Sequence, residues 1–363
     1  MNQTVATICR EAMDLPGELS AVVATLVDRH APLASDVEHE ALARQALAHL
    51  RGLGPLEELL DDPSVDEVFV NRGTEVWVDR AGTLSRHGDL EDGTIEQVLE
   101  RILTPLGRRI DRRMPVVDAE LADGSRLCAA MPPIAADGTC VAIRRHRRGR
   151  FGLDDFATPP ITKLLRSVLA AGSNVLVTGA TSSGKTTFLD ALAAALPPRE
   201  RLVVVEDTTE LSLVGRHAVR LEARPSGADG LEAIDLGQLV RIALRLRPDR
   251  LVVGEFRGTE AMAAVEAFNT GHDGSLSTCH ANSALDGLRR LETLVMQAAP
   301  SWPLPAIRRQ VTRSIDVVVH LRRGVRGRRV VEVLEVTEGD GEPCGRTLAI
   351  ADEVVGDLLR GRR

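Results

Sequence analysis

One eight-residue stretch constrains this 363-residue chain more than any other: Gly179-Ala180-Thr181-Ser182-Ser183-Gly184-Lys185-Thr186. It has the G-x-x-x-x-G-K-[ST] spacing, follows the apolar run Asn174-Val-Leu-Val-Thr178, and precedes a helical pattern from Thr187 to Ala195. Small residues let the backbone curl so that several N–H groups converge on one point, and the helix behind them adds the positive end of its dipole. ATP fits such a nest. Lys185 reaches the β- and γ-phosphates, the Thr186 hydroxyl takes a place on Mg²⁺, and Thr187 continues the nest into the helix. The only lysines are Lys163 and Lys185, all other cationic side chains apart from histidine being arginine. A compact ammonium is thus kept where a guanidinium would not fit.

Composition narrows the alternatives. Aromatic residues make up 2% of the chain and the formal charge is −7, so a dedicated nucleic-acid binder, basic and rich in stacking platforms, is not expected. The cysteines Cys9, Cys128, Cys140, Cys279 and Cys344 are scattered, with no C-x-x-C pair to suggest a zinc site or a disulfide framework. The start, Met1 to Asp14, has no basic region followed by an apolar core. No apolar run approaches the roughly 20 residues that span a bilayer. A cytoplasmic protein is expected, with any membrane contact made through partners.

Residues 1–52 read as helices, with Leu19, Val22, Val23, Leu26 and Val27 at helical spacing and Leu42, Ala43, Ala46, Leu47 and Leu50 repeating it. Residues 53–146 read as a smaller α+β domain. Its strands are expected at Glu67–Val70, Glu75–Asp79, Val116–Leu121, Arg126–Ala130 and Thr139–Arg144, with a helix from Ile95 to Leu106 and turns at 122–125 and 136–138. The charge run of residues 144–150 leads into a linker, 147–157, and serves either as a solvated connection or as an interdomain or intersubunit contact. From residue 158 to 336 helix and strand alternate, the pattern of an α/β domain with a largely parallel sheet. Its strands are expected at Asn174–Thr178, Leu202–Glu206, Val219–Glu222, Leu251–Gly254, Ser277–Cys279, Asp316–Leu321 and Val330–Val336. The tail, 337–363, is expected to hold a short helix near Asp352–Leu359.

Parallel sheets bind ligands beyond the carboxyl ends of their strands. Leu202–Glu206 ends in Glu206-Asp207-Thr-Thr-Glu210, carboxylates suited to holding Mg²⁺ waters or orienting an attacking water; they also read as an ordinary solvated strand end. Leu251–Gly254 delivers Glu255, the choice for the group that orients water for in-line attack on the γ-phosphate. Gly254 stands where many such proteins carry a metal-binding Asp, so Mg²⁺ would rest on Thr186 and on Glu206 or Asp207. His272 and His280 bracket a Gly-rich turn beside a strand and suit γ-phosphate sensing.

Taken jointly, the phosphate loop, the acidic box at Glu206–Glu210, the Arg247-Pro-Asp-Arg…Val-Gly254-Glu255-Phe-Arg-Gly block and Asn269-Thr-Gly-His272-Asp-Gly-Ser…His280-Ala-Asn-Ser resemble the secretion-ATPase family. These are the motors of type II and type IV secretion and of type IV pili, and the branch serving Tad/Flp pili is the most similar. The resemblance runs from about Leu53 to Val336 through Gly52-Leu-Gly-Pro, Gly107-Arg-Arg-Ile-Asp111, Asp123-Gly-Ser-Arg126 and Pro132-Pro. It implies a RecA-like ATPase domain behind a PAS-like N-terminal domain, assembled as a homo-hexamer that works on polytopic inner-membrane platform proteins. It further implies that Lys185 and Thr186 bind nucleotide, that Glu206, Asp207 and Glu210 form the acidic box around the metal, and that Glu255 is catalytic. His272 and His280 would form the histidine box, and Arg109, Arg126 or Arg144 would complete the site. Each of those arginines also reads as a plain surface charge. Phe256 and Phe268 stand where smaller or more flexible apolar residues are commoner, and the tetracysteine zinc module of some members is absent. A RecA-type nucleic-acid translocase and a small-molecule kinase are the competing readings of the same loop.

Overall fold

Two patterns of hydrophobicity give two kinds of sheet, one wet on a face and one buried on both. The computed structural model describes every residue except 1–2, 16–17, 81, 122, 146–150, 214–215, 225–231, 325–326, 340–341, 360 and 363. It divides into two units, Met1–Arg147 and Arg148–Arg363. Residues 147–150 of the expected linker, the end of the charge run and the first residue of the expected 122–125 turn fall outside the described residues.

The first unit begins with three helices, α1 (Gln3–Asp14), α2 (Leu19–His30) and α3 (Asp36–Arg51). Helical spacing of apolar residues closes them around Val5, Ile8, Val23, Leu26, Val27 and Ala46. Ser35 starts α3 in a capping box, its hydroxyl accepting from the Glu38 N–H while Glu38 reaches back to the Ser35 backbone. There follow α4 (Glu57–Asp61), β1 (Glu67–Asn71), β2 (Glu75–Arg80), β3 (Thr83–Asp89), α5 (Thr94–Leu103), β4 (Val116–Glu120), β5 (Arg126–Ala130) and β6 (Cys140–Arg144). These strands form an antiparallel sheet in the order β3-β2-β1-β6-β5-β4. Burial alternates along β1, β2 and β6, so one face, with Val68, Val70, Val76, Val78, Leu127 and Ile143, packs on Ile95, Val98, Leu99 and Leu103 of α5. Strand β3 is exposed along almost its whole length at the sheet's edge.

The second unit contains α6 (Pro159–Ala170), β7 (Val175–Gly179), α7 (Lys185–Ala194), β8 (Leu202–Glu206), β9 (Ala218–Glu222), α8 (Leu236–Ala243), β10 (Arg250–Phe256), α9 (Glu260–Phe268) and β11 (Leu276–His280). Then come α10 (Ala284–Ala298), α11 (Leu304–Ser314), β12 (Val317–Gly324), β13 (Gly327–Thr337), β14 (Cys344–Ile350) and β15 (Glu353–Val354). Its sheet runs β15-β14-β13-β12-β7-β11-β10-β8-β9, parallel from β12 to β9 and antiparallel beyond. Strands β7 and β8 are buried at every residue because helices cover both faces. Helices α6 and α7 pack on one face through Leu165, Phe188 and Leu192, and α8 to α11 on the other through Val240, Phe268, Leu291 and Ile307. Arg250 is 1% exposed and ties this core together: its Nε meets Glu200 at 2.5 Å, and its Nη atoms donate to the carbonyls of Gly274 and Leu169.

Two expectations are corrected. The tail helix near Asp352–Leu359 is absent among the described residues. Ala351 and Asp352 adopt positive φ in a two-residue hairpin turn, so β15 pairs with β14 instead. The N–H groups of Val355 and Leu359 are taken by the Leu348 carbonyl and the Glu335 carboxylate, which leaves no helical ladder to form. The sheet therefore continues past residue 336. The second half of the expected linker is not a free connection either. Leu153 and Phe156 are buried in the core of the second unit, and the Phe156 carbonyl accepts from Val330 N–H.

Candidate active site

Strand β7 sends the chain into the phosphate loop at the carboxyl edge of the parallel sheet. The loop can turn there because Gly179 lacks a Cβ, which would stand 2.5 Å from Ser183 Oγ and 2.7 Å from the Leu321 carbonyl. Gly184, at φ 92°, takes the left-handed conformation that starts α7. Ser182 also has positive φ. Lys185 is 7% exposed and folds back over the loop: its Nζ donates to the carbonyls of Gly179 at 3.1 Å and Ala180 at 3.0 Å, and to His280 Nδ1 at 3.2 Å. Thr186 and Thr187 follow on the first turn of α7, and Ala180 and Thr181 lie exposed at the loop's tip.

An ammonium has only protons to give, so His280 Nδ1 is the acceptor and the ring proton sits on Nε2. That nitrogen lies 2.8 Å from Glu255 Oε1. Burial pushes the His280 imidazole below its ordinary value; Glu255 pulls it up, while Lys185 and Arg257 add to the lowering. Glu255 is held on its other side by Arg257, whose Nη2 is 2.5 Å and Nε 2.7 Å from Oε2, and Arg257 reaches Asp207 at 3.6 Å. A continuous line therefore joins Lys185, His280, Glu255, Arg257 and Asp207 across the ends of β7, β11, β10 and β8. His280 closes β11 and Glu255 lies in β10, neighbours in the sheet order.

The other acidic groups divide differently. Glu206 is 4% exposed, and its Oε1 accepts from the N–H groups of Glu210 and Leu211 at 3.0 and 3.1 Å. Burial pushes its carboxyl up to about 7, against the lowering by those two hydrogen bonds. Its Oε2 is buried with no hydrogen-bond partner. The expectation that Glu206 faces a metal is thereby corrected: in this protomer it folds inward and shapes the turn that carries Glu210. Gly254 explains the arrangement, since a Cβ there would come within 3.0 Å of Glu206 Cγ. Asp207 is exposed and points to Arg257, while Glu210 presents its backbone N–H to Glu206.

His272 is also corrected. It precedes β11, whereas His280 ends it, so the strand carries the two rings to opposite edges of the sheet. His272 Nδ1 contacts the Ala267 carbonyl at 3.1 Å, at the amino edge away from the phosphate loop. In the first unit, Arg126 and Arg144 are directly opposed on β5 and β6, with Arg144 also 3.6 Å from Glu67, and Arg109 is paired with Asp111 at 3.4 Å. Sequence reasoning missed two groups. His320, buried on β12, shares a 2.9 Å hydrogen bond with Thr178 on the floor of the loop. Arg328, on β13, lays its side chain over Gly184. The signals were a lone His in an apolar strand and an arginine-rich hairpin.

Fold and site together define a phosphate-loop ATPase with a RecA-like core. A family model described as "Type II/IV secretion system protein" matches residues 49–339. A putative conjugal transfer protein of Mycobacterium tuberculosis is 34% identical over 348 residues, covering 90% of this chain and 98% of that one. The conjugal transfer protein TrbB of Rhizobium radiobacter is 32% identical over 76% of this chain and 85% of its own length. Among solved structures, the pilus retraction motor PilT with bound ADP superimposes with a TM-score of 0.57 at 18% identity, covering 77% of this chain and 82% of PilT; this likeness bears on the fold alone. The chain belongs to the type II/IV secretion system protein family, the ATPases of secretion and pilus systems.

Proposed function

We propose that this protein is a Mg·ATP-driven motor that works as a homo-hexamer on polytopic inner-membrane platform proteins, in Tad/Flp-type pilus assembly or a related secretion process. One observation carries the reading: the phosphate-loop lysine meets a histidine that lies 2.8 Å from a carboxylate at the end of a neighbouring strand. Among the described residues no helix is long and apolar enough to cross a membrane, in keeping with attachment through partners.

The chemistry follows from the contacts. A triphosphate offers Lys185 stronger acceptors than the two loop carbonyls it now holds. When Lys185 turns to the phosphates, His280 Nδ1 loses its donor and the imidazole is released to meet the γ-phosphate region. Glu255 then keeps Arg257 and is the nearest carboxylate to orient a water for attack. Among the described residues no three His, Cys, Asp or Glu side chains gather as a metal site of their own. That donor set suits a cation that arrives with the triphosphate: Thr186 gives a hydroxyl, and Asp207, Glu210 and Glu255 are carboxylates for its waters. Bound there, Mg²⁺ would neutralise charge on the β- and γ-oxygens. In the assembled ring, Arg109, Arg126 or Arg144 is proposed to stabilise the transferring phosphoryl group.

The test is ATP turnover by the purified, assembled protein. Lys185→Ala should abolish it, and Glu255→Gln should keep nucleotide binding while lowering hydrolysis by about a hundredfold or more. Undiminished turnover in Lys185→Ala would remove the loop from the chemistry. Stimulation by single-stranded DNA that vanishes at high salt would favour a nucleic-acid translocase instead.

A further inference from the structure

The hairpin of β12 and β13 carries an arrangement that the ATPase reading leaves unused. β12 lies beside β7 in parallel register, with Leu321 opposite Gly179, so residues after Leu321 overhang the carboxyl edge where the phosphate loop begins. On that overhang Arg322 faces Arg329, and Arg323 faces Arg328, across an antiparallel ladder. Like charges directly opposite one another repel. Two such pairs in adjacent registers weigh against the hairpin, and a bound anion would offset them. By strand alternation Arg323 and Arg328 share the face of Leu321 and Val330, which pack in the same core as Phe188 and Leu189 of α7.

Arg328 goes further than its neighbours. Its Cδ lies only 2.5 Å from where a Cβ on Gly184 would stand, so the arginine stem occupies the space that this glycine leaves open. Its Nη1 donates to Thr187 Oγ1 at 3.4 Å. The guanidinium thus lies over the first turn of α7, on the helix side of Lys185. In a loop of this kind the amides cradle the α- and β-phosphates while the lysine reaches the β- and γ-phosphates. Thr187, beyond Lys185 and Thr186, lies toward the α-phosphate end of that cradle.

We propose that Arg328, seconded by Arg323 across the ladder, is a nucleotide-binding residue that holds the α-phosphate of ATP and of ADP from within the same chain. This rests on the ATPase reading above. The α-phosphate is present before and after hydrolysis, so the contact retains the nucleotide through the cycle, whereas His280 responds to the group that leaves.

The experiment is calorimetric titration of the full chain with ADP and with a non-hydrolysable ATP analogue. Arg328→Ala should weaken both by the same factor, about ten- to a hundredfold, as for a lost charge-assisted hydrogen bond. It should also flatten the salt dependence of ADP binding. Arg328→Gln, which keeps the stem over Gly184 while losing the charge, should show the same loss with an unchanged melting temperature. Arg323→Ala should show a smaller loss in the same direction. Unchanged ADP affinity in Arg328→Gln, or a loss confined to the triphosphate, would overturn the proposal. Wild-type protein that binds neither nucleotide would instead sink the ATPase reading on which it rests.

Discussion

Glu206→Gln should remove a pH dependence that a single carboxyl imposes on the whole protein. In the folded chain burial raises this group from 4.5 to about 7. Unfolded, it returns to its ordinary value, so between those limits the folded state binds a proton that the unfolded state has given up. The stability this group contributes is complete below about pH 4.5 and is lost as pH rises through about 7. With those two values the loss between pH 5 and pH 8 comes to about 2–3 kcal/mol. Glutamine is the right probe because its amide oxygen accepts from Glu210 and Leu211 as Oε1 does, while its NH₂ takes the place of the protonated Oε2. Urea unfolding of both proteins without nucleotide, at pH 5, 6, 7 and 8, gives the difference in stability, from which all other titrating groups cancel. The variant should gain about 2–3 kcal/mol on the wild type across that range. A difference independent of pH would mean that Glu206 ionises normally, and the account of burial raising its carboxyl would fail.

Other outcomes follow from single contacts. Gly179→Ala places a methyl 2.7 Å from the Leu321 carbonyl, which cannot swing aside; we expect a loss of about 1–3 kcal/mol in thermal unfolding together with weakened ADP binding. Arg250→Ala removes a fully buried guanidinium and takes a donor from the partly exposed Glu200 carboxylate and from the Gly274 and Leu169 carbonyls, and should cost about 2–4 kcal/mol by denaturant titration; a loss under about 1 kcal/mol would show that these contacts do not hold the core. His280→Ala should lower kcat by at least about tenfold while leaving ADP affinity within about twofold, as steady-state kinetics and calorimetry would report. Equal losses in both would make His280 a binding group and nothing more.

The parallel core was legible because its strands are short and largely apolar and most are separated by helices: Leu202–Glu206 was bounded to the residue, and β7 to within one. His280 and Glu255 were legible as residues at the ends of recognisable strands and Lys185 through the spacing of the phosphate loop, but not the contacts that join them. What escaped has physical reasons. Strand β3 buries no face, so its sequence shows no period of two. β14 adds onto β13 and β15 onto β14, with only Leu348 and Ala349 of β14 in the core, and their turn uses Ala351 and Asp352 without a glycine at either central position. His272 and His280 are close in sequence, but the strand expected at Ser277–Cys279 lies between them and runs from one edge of the sheet to the other, which a pairing of the two rings overlooks. The inward turn of Glu206 depends on the missing Cβ of a residue 48 positions away on another strand, and the reach of Arg328 on a long-range register; neither is a local pattern.

The folded-back lysine also makes the molecule its own reporter. Only two side chains carry primary amines, and Lys163 is freely exposed while Lys185 lies under loop carbonyls. Acylating reagents should therefore label Lys163 at a steady pace and serve as an internal clock. Labelling at Lys185, ratioed to it by peptide mass, would count how often the loop lets its ammonium go.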